Sequence, residues 1–159
     1  MRRDCPGSRI AFGPVSDGSA DRYYTGGQLN ELIAASDYLL AVLPLTPETR
    51  GMIGPAQFAA AKPGAVFINI GRGPVADEPA LIHALESGKL RGAALDVFNV
   101  EPLPADHPFY RMSNVLLSPH TADRVEGFIA PAVDAFLDNL ERFLNNQPLQ
   151  NVVDKHAGY

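Results

Sequence analysis

The sequence predicts an α/β fold in which a parallel sheet alternates with helices. Short apolar runs recur along the chain at intervals that leave room for a helix between each run and the next, the pattern of buried parallel strands. Glycine and proline number 14 each among 159 residues, about 18% of the chain against a usual ~12%, which marks many sharp loops between those elements. The chain also carries one long amphipathic segment near its C-terminus, where apolar residues keep one face over about five helical turns.

Strands are expected at residues 9–12, 38–43, 65–70, 93–98 and 115–117, each a run rich in Val, Ile, Leu, Ala or Phe. Helices are expected at 28–35, 56–61 and 78–86, the last two ended by Pro63-Gly64 and by Gly88. The amphipathic segment runs from Val125 through Phe128, Ile129, Val133, Phe136, Leu137 and Leu140 to Leu144. Pro131 interrupts it, so the helix either kinks there or begins near Ile129 with the proline in its first turn. Residues 151–159 lack periodicity and are expected to run extended over a surface.

Composition bounds the function. A length of 159 residues with 46% hydrophobic and 19% charged residues suits one globular domain with a sizeable core. No apolar run reaches the roughly 18 residues of a membrane span. The lone Cys5 has no internal disulfide partner and residues 1–12 lack a secretory apolar core, so a reducing, cytoplasmic setting is expected. Net charge is −5, and although Arg2, Arg3 and Arg9 lie close together there is no long basic stripe, so neither nucleic acid nor membrane is expected as a partner.

In an open α/β sheet the residues just after each strand face the ligand. Three such positions hold titratable or charged groups: Arg72 in Gly71-Arg72-Gly73, Glu101 before Pro102, and His120 after Ser118-Pro119. The combination suits redox chemistry at a carbonyl. Arginine offers a forked donor pair for a carboxylate or ketone oxygen, histidine exchanges a proton near neutral pH, and a carboxylate beside it holds the ring's orientation. Each residue also has an ordinary reading: a surface arginine, a solvated turn acid, a loop histidine. The flanking glycines of Arg72, which allow close approach of backbone to a ligand, and the coincidence of three strand ends favour the functional one. His83 and His107 read as ordinary helix and loop histidines. Asp96, an acid inside an apolar strand, needs a ligand amide or a backbone donor close by.

Four stretches carry a resemblance: Leu43-Pro44-Leu45-Thr46-Pro47-Glu48-Thr49-Arg50-Gly51, Phe67-Ile68-Asn69-Ile70-Gly71-Arg72-Gly73-Pro74-Val75, Gly92-Ala93-Ala94-Leu95-Asp96-Val97-Phe98 and Ser118-Pro119-His120-Thr121-Ala122. In order and spacing over residues 8–159 they resemble the D-isomer-specific 2-hydroxyacid dehydrogenases. The resemblance implies a Rossmann-like, doubly wound parallel sheet. It also implies an oxidoreductase that moves a hydride between NAD or NADP and a 2-keto or 2-hydroxy acid, in a homo-oligomer without a metal. By the matching motifs Arg72 would hold the substrate's carboxylate and carbonyl, His120 would be the acid/base, and Glu101 would pair with His120 and raise its pKa. Asp96 would bind the nicotinamide carboxamide, with Leu43, Pro44, Thr46, Ile70, Gly71 and Ala122 lining the cofactor site.

The sequence departs from that family at its beginning. No G-x-G-x-x-G run is present, although such a turn holds the cofactor's pyrophosphate on backbone N–H groups and a helix dipole. The 9–12 strand matches the family's second strand, with Gly13 where an acid for the ribose is usual, so the first βα unit is expected to be absent. Residues 1–150 thus read as a partial dinucleotide-binding domain, and 151–159 as a tail that would pack on an absent substrate domain. Since the missing strand is central in this fold, the 9–12 strand is expected to pair directly with 65–70, or else a second molecule or another segment fills the gap. The isolated chain is expected to be inactive and to bind cofactor weakly or not at all. The alternative is a non-catalytic dimerising or regulatory module, or a remnant of such an enzyme.

Overall fold

The computed structural model describes residues 8–10, 22–124 and 126–156. Arg2, Arg3, Cys5, Gly13, residues 11–12 of the first expected strand, Val125 and residues 157–159 lie outside them. The described elements run β1 (Ser8–Ile10), β2 (Arg22–Tyr24), α1 (Leu29–Ala35), β3 (Tyr38–Ala41), α2 (Pro55–Ala60), β4 (Ala65–Asn69), α3 (Glu78–Glu86), β5 (Leu90–Leu95), β6 (Val115–Leu117) and α4 (Ile129–Leu144). Every pairing is parallel. The strands β3-β4-β5-β6 form one four-stranded sheet in that order, and β1-β2 a separate two-stranded one. This is a parallel sheet flanked by helices, as the alternation predicts, and Rossmann-like, as the resemblance implies.

Local chemistry sets the helix ends. Pro55 opens α2, where its missing N–H is not needed, and the Gln57 side chain accepts from the Gly54 amide at 3.1 Å. Asp77 caps α3, accepting the Ala80 N–H at 2.9 Å. α4 begins at Ile129 and not at Val125, so Pro131 falls in its first turn, the second of the two expected outcomes. The strand expected at 93–98 starts and ends three residues earlier. Its first half, Leu90-Arg91-Gly92, mixes a charge and a glycine with the apolar pattern, whereas Asp96 to Phe98 have already left the ladder.

The core lies on one face of the four-stranded sheet. Ala65, Phe67 and Asn69 of β4 point into it with Ala93 and Leu95 of β5, all buried. Phe58 of α2 meets Phe67 edge-on, ring centroids 5.4 Å apart, and α3 adds Leu81, Ala84 and Leu85. The registered residues of the other face are Tyr38 and Leu40, Val66 and Ile68, Ala94 and Leu116. Among the described residues nothing covers Leu40 or Leu116, which are 54% and 75% exposed. α4 has no buried residue either; Ile129, Val133, Phe136, Leu137, Leu140, Phe143 and Leu144 are all exposed.

The direct pairing of the first strand with residues 65–70 does not occur. β4 is hydrogen-bonded on both sides, to β3 and β5, so it has no edge to offer. β1 instead pairs with β2, a strand whose three residues, Arg22-Tyr23-Tyr24, are too short for the sequence to reveal. β1 packs on α1, and Tyr24 enters the core at 3% exposure. Among the described residues the edges of the larger sheet are β3 and β6.

This asymmetry is measurable. Phe67→Ala is expected to cost about 3–5 kcal/mol in urea unfolding, while Leu40→Ser on the bare face stays within about 0.5 kcal/mol of the unmutated chain. A loss at Leu40 as large as at Phe67 would show that this face is covered in solution.

Candidate active site

The four parallel strands of the larger sheet end at Ala41, Asn69, Leu95 and Leu117, and every candidate residue lies in the segment that follows one of them. After β3 the chain runs through Leu43, Pro44 and Thr46. Thr46 and Thr49 are buried and close this loop together: the Thr46 amide donates to Thr49 Oγ1 at 2.8 Å, and the Thr49 hydroxyl donates to the Pro44 carbonyl at 2.7 Å. After β4 come Ile70, Gly71 and Arg72. Gly71 lies against Leu43 so closely that a Cβ would stand 2.8 Å from the Leu43 carbonyl oxygen and 2.9 Å from its nitrogen. Only glycine lets the two strand ends meet there.

Asn69 holds the Arg72 turn. Buried at 2% exposure, its Oδ1 accepts the Gly71 N–H at 3.1 Å and its Nδ2 donates to the Arg72 carbonyl at 3.1 Å. Its signal in the sequence is a lone amide inside Phe67-Ile68-Asn69-Ile70, where an unpaired polar group would be costly. The Arg72 guanidinium donates through Nη1 to the Gly71 carbonyl at 2.7 Å and is otherwise exposed at the strand ends.

Asp96, just after β5, meets the backbone donors its burial demands. It is 3% exposed, and one carboxylate oxygen accepts the Ser118 hydroxyl at 2.5 Å and the Thr121 amide at 2.9 Å. The other oxygen accepts the Ala122 amide at 2.9 Å. Burial pushes the carboxyl upward, but the Ser118 hydroxyl, the Thr121 and Ala122 amides and the nearby His120 outweigh it, so it stays below the ordinary aspartate range. The Asp96 carbonyl also accepts the His120 N–H at 2.8 Å. Between these anchors His120 adopts φ 52°, the left-handed region that a non-glycine residue enters at some cost.

The result is a His–Glu pair. His120 Nδ1 lies 2.7 Å from Glu101 Oε2, while Glu101 Oε1 accepts the Phe98 N–H at 2.9 Å. Burial raises the Glu101 carboxyl, but the His120 ring, the Phe98 amide and the Arg72 guanidinium together hold it below the usual glutamate range. Arg72, Glu101 and His120, drawn from three strand ends, therefore share one electrostatic neighbourhood. An open cleft of about 580 Å³ adjoins the pair, lined by Phe98, Pro102, Leu103, Tyr110, Leu117 and Pro119. His83 is exposed on α3. His107 is not an isolated loop histidine, since its Nε2 lies 3.7 Å from Glu78.

With both carboxyls held below their ordinary values, the stability they contribute is complete above about pH 4, their unfolded range, and is lost as pH falls through their lowered folded values. Asp96→Asn turns one acceptor into a donor facing the 118–122 amides, at an expected loss of about 1–3 kcal/mol at pH 7. The gap between the Asp96→Asn variant and the unmutated chain should narrow on acidification, measured by urea unfolding at pH 7 and near pH ~3.5, just below the ordinary aspartate range. A gap that widens would contradict an ionised carboxylate held by these three donors.

The arrangement has relatives. The family model of the D-isomer specific 2-hydroxyacid dehydrogenase NAD binding domain matches residues 10–122. Glyoxylate/hydroxypyruvate reductase B of Enterobacter sp. (strain 638) is 44% identical over 130 residues, 82% of this chain and 40% of the relative. The Cronobacter sakazakii protein of the same name is 46% identical over 129 residues, again 40% of its length. A D-isomer specific 2-hydroxyacid dehydrogenase from Xanthobacter autotrophicus Py2, solved with NADPH and MES, superposes with TM-score 0.87 at 40% identity, covering 96% of this chain and 62% of that one. The NADPH-dependent glyoxylate/hydroxypyruvate reductase of Sinorhizobium meliloti, solved with NADP and sulfate, gives TM-score 0.85 at 35% identity over 96% of this chain and 49% of that one. The chain thus spans about 40% of the length of these curated relatives. With the NAD binding domain model matching residues 10–122, well over half of the chain, this chain belongs to the D-isomer specific 2-hydroxyacid dehydrogenase family.

Proposed function

We propose that the protein carrying this chain is a nicotinamide-dependent oxidoreductase that interconverts a short 2-keto acid and a D-2-hydroxy acid. The observation that carries the reading is the His120–Glu101 contact at 2.7 Å, set beside the Arg72 turn at the C-terminal edge of a parallel sheet. The names of the relatives, glyoxylate/hydroxypyruvate reductases, favour a keto acid of two or three carbons. The NADPH and NADP held by two structural relatives favour the phosphorylated cofactor.

The residues present fit the nicotinamide half of such a cofactor. Gly71 keeps the β3 and β4 ends close and free of side-chain bulk, Leu43, Pro44, Ile70 and Ala122 offer apolar contact around them, and Thr46 shapes the first loop. Among the described residues Asp96 Oδ2 accepts a single donor and so keeps a lone pair for a carboxamide N–H. No G-x-G-x-x-G turn is present to hold the pyrophosphate. Bound there, the reduced cofactor supplies a hydride for the keto carbon.

In the reducing direction His120 delivers a proton to the carbonyl oxygen. Glu101 accepts from the Nδ1–H, which leaves Nε2 as the nitrogen that exchanges a proton with substrate, and it stabilises the cationic ring. Arg72 places its guanidinium where the substrate carboxylate and the developing oxygen charge fall. Residues 151–156 would pack on a substrate domain, and the protein works as a homo-oligomer in the cytoplasm.

Two measurements test this. In a catalytically competent form of the protein His120→Ala is expected to lower turnover by at least ~10²-fold with cofactor affinity little changed; unchanged turnover would sink the assignment. Calorimetric titration of this chain with NADP(H) or NAD(H) is expected to show millimolar binding or none. Micromolar binding would place a phosphate site within these residues.

A further inference from the structure

Glu78 is the first residue of α3. In the structure its side chain is mostly buried, at 14% exposure, and it faces the loop that carries Glu101. Glu78 Oε1 accepts the Asn99 N–H at 2.7 Å, a charge-assisted bond of the stronger class. Asn99 stands between Phe98, whose N–H holds Glu101 Oε1, and Glu101 itself. Asn99, Val100 and Glu101 are exposed, so this bond is a principal anchor of the loop to the body.

The anchor is backed. His107 Nε2 lies 3.7 Å from Glu78 Oε2. His107 Nδ1 accepts the Phe109 N–H at 3.4 Å, and its ring packs on the buried Phe109 at 4.6 Å between centroids. A neutral His107 with Nδ1 so engaged carries its proton on Nε2, toward Glu78. The same loop is pressed from below by the Arg72 turn: a Cβ at Gly73 would stand 2.0 Å from the Phe98 carbonyl carbon. Gly73 and Glu78 are close in sequence, so one short segment of chain both bears Arg72 and clamps the Glu101 loop.

We propose that Glu78, backed by His107, is a positioning residue that holds the Glu101 carboxylate against His120. Its importance for turnover rests on the reading of His120 as the acid/base; the clamp itself does not. Without Glu78 the Phe98–Glu101 turn loses its hold on α3, and Glu101 spends part of its time away from both His120 and the Phe98 amide.

The test is the titration of the Glu101 carboxyl, followed by ¹³C NMR of this chain. The groups that face Glu101 are His120, the Phe98 amide and Arg72, which together lower its midpoint. Glu78→Ala removes a negative charge, which by electrostatics alone leaves that midpoint unchanged or lowers it. Loss of the clamp acts the other way and is expected to raise it by roughly one unit, the size of shift that a close cation exerts on a carboxylate. Glu78→Gln keeps an acceptor for Asn99 and is expected to stay near the unmutated value. His107→Ala, which spares the Asn99 bond, is expected to give a smaller rise and serves if Glu78→Ala fails to fold. A midpoint that does not rise in either alanine variant, or one that rises as much in Glu78→Gln, overturns the clamp. His120→Asn separates the two readings. If it raises the Glu101 midpoint while Glu78→Ala does not, the clamp alone fails; if it leaves the midpoint unmoved, the pair fails and the clamp with it.

Discussion

The buried carboxylate of Asp96 is the constraint on which the site depends. It binds one hydroxyl and two backbone amides of the 118–122 loop, and its own carbonyl takes the amide of His120. A buried, ionised group persists only if its acceptors are filled. Filling them from a single loop fixes that loop's path to within the tolerance of these hydrogen bonds. The left-handed φ of His120 follows, since the residue is pinned before and after by the same aspartate. What points His120 at Glu101 is thus decided one strand away.

The other strand ends use the same device. Asn69 takes an amide and gives to a carbonyl of the Arg72 turn, Thr49 closes the loop after β3, and Glu78 takes the amide of Asn99. Each is a polar side chain at or near the edge of the core whose partners are backbone atoms of a loop, which rigidifies segments that carry little buried apolar surface of their own. The opposite face of the sheet contrasts with this order. Leu40 and Leu116 there, like the apolar stripe of α4, are exposed among the described residues. Contiguous apolar area of that kind marks a surface that another segment or chain covers.

The larger features are legible in the sequence because they rest on repetition. Parallel strands buried on at least one face read as apolar runs, and the spacing of those runs leaves room for helices, so β3, β4, β6 and the three short helices are visible within a residue or two of their bounds. β2 is not, because three residues at a sheet edge carry no periodicity. β5 is displaced because an arginine and a glycine open it, and the apolar signal continues past its end. At the site, Arg72, Glu101 and His120 are visible as polar residues directly after apolar runs, and Asp96 as a charge inside one. Asn69 gives the same kind of signal more weakly. Glu78 and His107 give none: an acid in a first helical turn and a histidine between prolines are ordinary on any surface, and only the fold brings the two together. The partner of the first strand escapes the sequence for a related reason, since pairing across a sheet is a long-range choice that local pattern does not encode.

The division of labour among the carboxylates follows from where their donors come from. Asp96 draws on hydroxyl and amide donors that cannot leave while the fold is intact, so its role is fixed and structural whatever it also offers a ligand. Glu101 draws on one amide and on the His120 ring, the group that exchanges a proton in the proposed reaction. Both acids are held below their ordinary range, so at neutral pH each acts only as an acceptor and neither competes with the imidazole for the proton that the proposed reaction moves. If both Glu101 oxygens were taken up by backbone donors, none would be left directed at Nδ1 and the carboxylate would not steady the cationic ring. If it were held by nothing but His120, it would drift whenever the ring gave up its proton. Its single amide bond to Phe98, on a loop clamped by Glu78, lies between those extremes and keeps the acceptor in place through both states of the histidine.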